Sequence, residues 1–281
     1  MTLGNINYSM PNLTFGQKLT VKMSDELVEY QACPLCGGRD FPLILRADCS
    51  AHARYSPELS GVMNWHQCKN CAHVFRSGYY TEKALGVVFR GTNENQKVGF
   101  DLERQRIVSA QMVEKVLPFK AEGGWLDVGF GNGSLLFTAH EYGFTPVGLD
   151  LRQQSVDELR KFGLTAYCVD IAKLELEQKM AVISMADVLE HMPFPKDGLT
   201  AAYNSLEPSG VLFVSLPNMG SAIWKMLDAS KSNPYWGEIE HYHNFSRTRL
   251  YSLLKEHGFE PVRYGISQRY RACMEIISIK Q

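Results

Sequence analysis

Leu126-Asp127-Val128-Gly129-Phe130-Gly131-Asn132-Gly133-Ser134 carries three glycines at alternate positions, between an apolar run and a helical pattern. Trp125, Leu126 and Val128 supply a buried strand, and Ser134 restarts the chain as a helix whose N-terminal N–H groups face the turn. Glycines there let the backbone turn tightly and approach a ligand closely, so the stretch reads as a cradle for a nucleotide-like molecule. A dinucleotide fingerprint wants glycine or alanine three residues after its second glycine. Ser134 stands at that position, and the extra glycine is Gly133. The spacing is G-x-G-x-G, with Asp127 just ahead.

Leu135, Leu136 and Ala139 share one side of a helix that stops at Gly143, and Val147-Gly148-Leu149-Asp150-Leu151 follows as a second strand. Asp150 lies 17 positions after Gly133, close to the spacing at which a carboxylate meets ribose hydroxyls after one βαβ step. The pattern repeats. Ser155 with Glu158 reads as a capping box, Val156, Leu159 and Phe162 form a stripe, and Gly163 precedes a strand over Leu164 to Val169 that ends at Asp170 and Ile171. Met180 to Met185 is the near-continuous apolar run of a central parallel strand, leading into Ala186-Asp187-Val188-Leu189-Glu190-His191. A helix over Lys196 to Leu206, a strand over Val211 to Leu216, a helix over Ser246 to His257 and runs at Pro261 to Tyr264 and Cys273 to Ile279 complete the order. Upstream, Phe100, Ile107, Val108, Met112, Val113, Val116 and Leu117 predict a helix packing on the sheet. The alternation predicts an α/β fold whose carboxyl-end rim gathers Asp127, Asp150, Asp170 and Asp187.

The glycine turn resembles motif I of class I S-adenosylmethionine-dependent methyltransferases. That resemblance implies a Rossmann-like seven-stranded sheet, closed by an antiparallel hairpin from the last two runs. It implies that Asp127, Gly129, Phe130, Gly131 and Gly133 wrap the methionine half of the donor, with Asp150 and Leu151 at the ribose. Asp170 would hydrogen-bond the adenine amino group, Ile171 would cover the ring, and Ala186 would border the same site.

Upstream lie Cys33-Pro34-Leu35-Cys36 and Cys68-Lys69-Asn70-Cys71. Paired C-x-x-C knuckles can aim four thiolates at one ion, the closed tetrahedral shell of a structural Zn²⁺. The 31 residues between Cys36 and Cys68 exceed a compact ribbon, but loop-closure cost grows only logarithmically, so a hairpin with an insertion absorbs them. Disulfides are the competing reading, disfavoured by the lack of a secretory signal pattern. Cys49, His52, His66 and His73 are spare candidate ligands, Cys49 being the best candidate for a plain buried thiol.

With 281 residues, 45% hydrophobic content and 21% charge, the chain can bury an α/β domain of roughly 150 to 200 residues plus a small appendage. The expected organisation is a tail over 1–30, a zinc-ribbon-like domain over 31–80 and a methyltransferase domain over 81–281. Met1 to Gln17 is polar and turn-rich, reading as a loose tail of a cytoplasmic protein, and no membrane-spanning run is visible. Net charge is −1, and residues 1–100 hold ten Lys and Arg against eight Asp and Glu, a poor footprint for nucleic acid.

The partner expected instead is a small-molecule methyl acceptor. Methyl transfer is an in-line displacement, and an oxygen acceptor also benefits from a base near neutral pKa. His191 after the fourth strand, and His241 and His243 in the loop before the last large helix, are the candidates, with Trp224, Tyr235, Trp236, Tyr242 and Phe245 as candidate pocket walls. Tyr79, Tyr80, Arg104 and Arg106 could reach the donor carboxylate or cover the acceptor. Asp187-x-x-Glu190-His191 also resembles the acidic-x-x-Glu-His motif of metal-dependent O-methyltransferases, which implies Mg²⁺ held by Asp187, Glu190 and His191 with a downstream His241 or His243. Knuckles ahead of such a core resemble sugar C-methyltransferases of deoxysugar pathways, though the chain ends at Gln281 without their extra domain. O-methylation of a small hydroxylated metabolite, of sugar or natural-product type, is the leading expectation. An RNA methyltransferase using the ribbon as a clamp, and a non-catalytic scaffold, are the alternatives.

Overall fold

The computed structural model describes residues 26–89, 94–270 and 272–281, so the expected tail over Met1 to Gln17 lies outside the described residues. Five short strands come first: β1 (Leu27–Glu29), β2 (Leu43–Asp48), β3 (Val62–Gln67), β4 (Val74–Arg76) and β5 (Gly78–Tyr80). Helices α1 (Glu82–Val88) and α2 (Leu102–Val116) lead into β6 (Gly124–Val128), α3 (Ser134–Glu141), β7 (Thr145–Leu149), α4 (Gln153–Lys161) and β8 (Thr165–Tyr167). There follow β9 (Met180–Ala186), α5 (Pro195–Ser205), β10 (Leu206–Pro217), α6 (Ala222–Ala229), β11 (His243–Asn244), α7 (Arg247–Glu256), β12 (Phe259–Ile266) and β13 (Cys273–Lys280).

The large sheet has the order β12-β13-β10-β9-β6-β7-β8. Strands β6 to β10 run parallel, and β13 is inserted antiparallel between β10 and β12. This is the expected Rossmann-like seven-stranded sheet with its closing hairpin. Side chains alternate across it with the period of a strand. Trp125, Val182 and Phe213 meet Met112, Val113 and Val116 of α2 and Leu135 of α3 on one face. Leu126, Ile183 and Leu212 meet Leu199 of α5 and Leu250, Leu253 and Leu254 of α7 on the other. Met180 to Met185 of β9 are all buried, as two covered faces require.

Four local expectations shift. Helix α2 starts at Leu102 and only its second half packs on the sheet, so Phe100 and Ile107 are exposed. Helix α4 starts at Gln153, which puts Ser155 on its buried inner face and Arg152 at the N-cap position, so Ser155 and Glu158 form no capping box. Strand β8 spans only Thr165–Tyr167. Strand β10 begins at Leu206 and absorbs Pro208-Ser209-Gly210 as an irregularity before pairing with β9 resumes at Val211.

The smaller sheet has the order β11-β4-β3-β2. Its edge strand comes from far downstream, with His243 opposite Phe75 and Asn244 opposite Val74. Its core likewise mixes Met63, Trp65 and Tyr80 with Ile239 and Tyr242. Residues 31–80 therefore share both a sheet and a core with the loop that carries His241 and His243. Among the described residues no helix is long and apolar enough to cross a membrane.

Candidate active site

The glycine turn between β6 and α3 uses the left-handed region at all three glycines, with φ of 68° at Gly129, 57° at Gly131 and 77° at Gly133. Non-glycine residues are strained there. A Cβ at Gly129 would lie 3.0 Å from Val188 Cγ2, and one at Gly133 would lie 3.1 Å from Leu159 Cδ1. At Gly131 the nearest atom would be the Gly129 carbonyl, 4.0 Å away. The outer glycines thus serve packing, whereas the middle one borders open space. Phe130 packs beneath with Leu136, Val156 and Leu159, so its side chain belongs to the core and its backbone to the turn. The Gly129 N–H donates to the Leu149 carbonyl at 2.6 Å, clipping the turn to the end of β7.

Three carboxylates stand at this rim. Asp127 is buried and accepts from Ser184 Oγ at 2.6 Å, and Ser184 accepts in turn from Trp125 Nε1 at 2.8 Å. Burial raises the Asp127 carboxyl to about 7, against the lowering influence of Ser184 and Arg269. Asp150 is held by Arg152, whose terminal nitrogen lies 2.7 Å from Oδ2. Asp187 closes β9 with φ of 59° and pairs with Arg269 at 3.2 Å. Burial also raises the Asp187 carboxyl, with Arg269 and then His191 opposing. Sequence reasoning missed Arg269, because only the β12–β13 hairpin brings it to this rim.

The remaining donor-site candidates differ in exposure. Leu151 is 73% exposed, Asp170 is exposed and accepts from the Ala172 N–H at 2.8 Å, Ile171 is buried, and Ala186 is half-buried. Arg106 pairs with Glu141 on the outer surface, and Tyr80 is buried under the Arg76 guanidinium at 4.3 Å. Tyr79 packs on Tyr30 and Phe194. Trp224, Tyr242 and Phe245 are core residues, so of the expected pocket walls only Tyr235 and Trp236 are half-buried.

The histidines separate clearly. His191 and His241 meet edge to face at 4.7 Å between ring centroids, beside the buried Glu190. His191 Nδ1 lies 3.1 Å from the Glu240 carbonyl, so Nδ1 carries a proton and donates there. Burial first, and then His191, hold His241 well below the usual histidine range. His243 has both ring nitrogens engaged, Nε2 with the Met192 carbonyl at 2.9 Å and Nδ1 with His73 at 3.0 Å. Glu190, His191 and His241 offer one ligand atom each within 4.8 Å of one another. Neither Glu190 oxygen has a hydrogen-bond partner, nor does His241 Nδ1. Asp187 and His243, expected beside a divalent cation, fall outside this triad because Arg269 and His73 take them. A second group, His52, Glu238 and Glu240, adjoins it, with His52 Nε2 2.6 Å from Glu238.

The four knuckle thiols converge. Cys33 and Cys71 sulfurs lie 3.7 Å apart, and those of Cys36 and Cys68 3.5 Å apart. Tetrahedral Zn–S bonds of about 2.3 Å require sulfur–sulfur edges of about 3.8 Å. Cys49 stays apart as a buried thiol donating to the Ser60 carbonyl, while His66 binds the Phe41 carbonyl.

Residues 100–264 match a family described as methyltransferase domain. A ubiquinone biosynthesis O-methyltransferase of Idiomarina loihiensis is 33% identical over 107 residues, covering 35% of this chain and 44% of that protein. The Klebsiella pneumoniae protein of the same name is 29% identical over 109 residues, covering 36% and 45%. The chain thus matches less than half the length of these curated relatives. The crystal structure of a magnesium protoporphyrin IX methyltransferase from Synechocystis PCC 6803 with bound SAH is alike in fold, with a TM-score of 0.51 at 18% identity over 65% of this chain and 94% of that one.

Proposed function

This chain belongs to the methyltransferase-domain family of S-adenosylmethionine-dependent enzymes, and from that premise we propose that it methylates a small hydroxylated metabolite at oxygen. The observation that carries the reading is the joint rim of β6, β7 and β9. Gly131 borders open space in the turn that follows Asp127 of β6, Asp150 follows the neighbouring β7, and His191 follows β9 with His241 against it. Glycines 129, 131 and 133 cradle the methionine half of the donor, Asp150 takes the ribose hydroxyls with Leu151 alongside, and Asp170 with Ile171 receives the adenine. Ala186 borders the transferring methyl. The O-methyltransferase relatives support oxygen as the acceptor atom.

A neutral imidazole is the right base for this chemistry. As the acceptor oxygen attacks the methyl carbon in line, the C–S bond breaks with its electron pair on sulfur, and the acceptor proton passes to His241 or His191. His241 is kept uncharged by burial, and His191, whose Nδ1 donates to the Glu240 carbonyl, would take the proton on Nε2. His243 has no ring nitrogen to spare and serves the seam with the small sheet.

One specific observation favours a second version of the same reaction. Glu190 is buried with neither oxygen hydrogen-bonded, and such a carboxylate is costly without a cation. Its partners in the triad are imidazoles, so the donor set fits Mn²⁺, Zn²⁺ or Fe²⁺ better than the all-oxygen preference of Mg²⁺. Bound there, a divalent ion supplies Lewis-acid polarisation of the acceptor hydroxyl. Full transfer activity after exhaustive chelation, with the knuckle zinc retained, rules this version out.

The knuckles are read as a structural zinc site of Cys33, Cys36, Cys68 and Cys71, closed to substrate by its four thiolates. The test of the whole reading is calorimetry with S-adenosylhomocysteine on the folded, zinc-loaded chain, followed by a screen of hydroxylated metabolites for labelled methyl uptake. Binding that Asp150→Ala weakens at least tenfold is expected, and no binding overturns the enzyme reading in favour of a scaffold. Strongly salt-dependent RNA binding would favour an RNA acceptor instead.

A further inference from the structure

We infer that Arg152 competes with the methyl donor for Asp150, and that Gln96 passes the displacement of Arg152 to the loop bearing His241. The inference rests on the donor reading of Asp150.

Asp150 Oδ1 accepts from both the backbone N–H and Nε of Arg152, each at 2.9 Å. That fills its lone pairs. Oδ2 accepts from the terminal Arg152 nitrogen at 2.7 Å. A ribose diol places one hydroxyl on each carboxylate oxygen, so it docks on Asp150 only as the guanidinium leaves. Arg152 is not stranded when it goes. Its other terminal nitrogen donates to Gln96, at 3.3 Å to Oε1 and 3.5 Å to the backbone carbonyl.

Gln96 is shared between the two halves of the chain. The same Oε1 accepts from an Arg54 terminal nitrogen at 3.1 Å. Arg54 lies in the β2–β3 connection, and its Nε sits 3.0 Å from Glu240 Oε2. The Glu240 carbonyl is the group 3.1 Å from His191 Nδ1, and His241 is the next residue. A continuous series of polar contacts therefore joins the ribose carboxylate to the candidate base: Asp150, Arg152, Gln96, Arg54, Glu240. A guanidinium released from Asp150 falls back on Gln96 and alters its hold on Arg54, and Glu240 feels the change. Donor entry thereby sets the acceptor loop, making Arg152 and Gln96 positioning residues.

Titration of the full zinc-loaded chain with S-adenosylhomocysteine tests the competition, and hydrogen exchange of the segment 238–243 tests the relay. Losing a partly buried competing ion pair, Arg152→Ala is expected to bind S-adenosylhomocysteine roughly three- to tenfold more tightly than the wild type. Weaker or unchanged affinity in Arg152→Ala, with wild-type binding intact and Asp150→Ala impaired, overturns the competition while leaving the donor reading standing. If neither wild type nor Arg152→Ala binds, the donor reading itself fails, and this inference with it. S-adenosylhomocysteine is expected to change exchange at 238–243 in the wild type but not in Gln96→Ala, although that variant still binds it. An unchanged segment in the saturated wild type overturns the relay.

Discussion

His73 Nε2 lies 3.0 Å from His243 Nδ1, and this buried pair joins the second cysteine knuckle to the loop that carries the candidate base. His243 donates from Nε2 to the Met192 carbonyl, so its Nδ1 accepts from His73. Phe75 stacks on His73 at 7°, and Phe245 packs against both rings. His243→Ala removes an acceptor from one buried group and a donor from another and leaves a cavity. A loss of about 2–4 kcal/mol is expected by chemical denaturation. Because the small sheet and the loop share a core, the variant is expected to unfold in one transition; two separate transitions would contradict the shared core.

Zinc removal should be felt beyond the knuckles. Cys33, Leu35 and Cys68 pack in the same cluster as Leu126, Ile183 and Phe245. Without a cation the four thiols lose the interaction that draws them together, and metal binding contributes directly to folding in small sites of this kind. Stoichiometric zinc by elemental analysis is expected, with a lower melting temperature after chelation and a similar loss in Cys68→Ser. A protein purified under reducing conditions without zinc would remove the site.

Much of this was readable from residue order, and what was not has identifiable causes. The sheet, the glycine turn and the closing hairpin follow from apolar runs and turn residues, which are local signals. The knuckles are equally local, since two C-x-x-C pairs announce themselves. Arg269 and Gln96 were invisible, and His73 reads only as a spare metal ligand, because their roles depend on pairings across long sequence separations. The aromatics misled for a related reason: Tyr242 and Phe245 look like pocket walls until strand β11 between them joins the small sheet, and Trp224 until Tyr235 and Trp236 pack over it. Ser155 misled locally, since its capping signature was overridden by α4 starting three residues earlier, with Arg152 at the N-cap position, and turning Ser155 inward.

Asp127 makes the fold less stable as pH rises from ~4 toward ~7. Its carboxyl rises from 3.8 to about 7 on folding, chiefly through burial. Below pH ~4 both states are protonated and no cost is felt; as pH rises toward ~7 the unfolded state ionises while the folded one resists, so stability falls across that window. The raised value corresponds to a loss on the order of 4 kcal/mol. Asp127→Asn cannot ionise, and its amide oxygen can still accept from Ser184. The variant is expected to melt higher than wild type at pH 8, with the difference shrinking toward pH 4, as read by thermal scans in matched buffers. A variant no more stable than wild type at pH 8 would show that folding does not raise the Asp127 carboxyl.

Gly131 and Gly133 separate the cradle from its support. Both have positive φ, so alanine costs about 1–2 kcal/mol of backbone strain at either position. At Gly133 the new methyl also meets Leu159 and Phe137, at 3.1 Å and 3.2 Å, so Gly133→Ala is expected to lower the melting temperature more than Gly131→Ala does. At Gly131 the methyl enters space that only a ligand would use. Gly131→Ala should therefore keep most of its thermal stability while losing at least tenfold in S-adenosylhomocysteine affinity by calorimetry. Unchanged affinity in a folded Gly131→Ala protein would move the donor away from the middle of the turn.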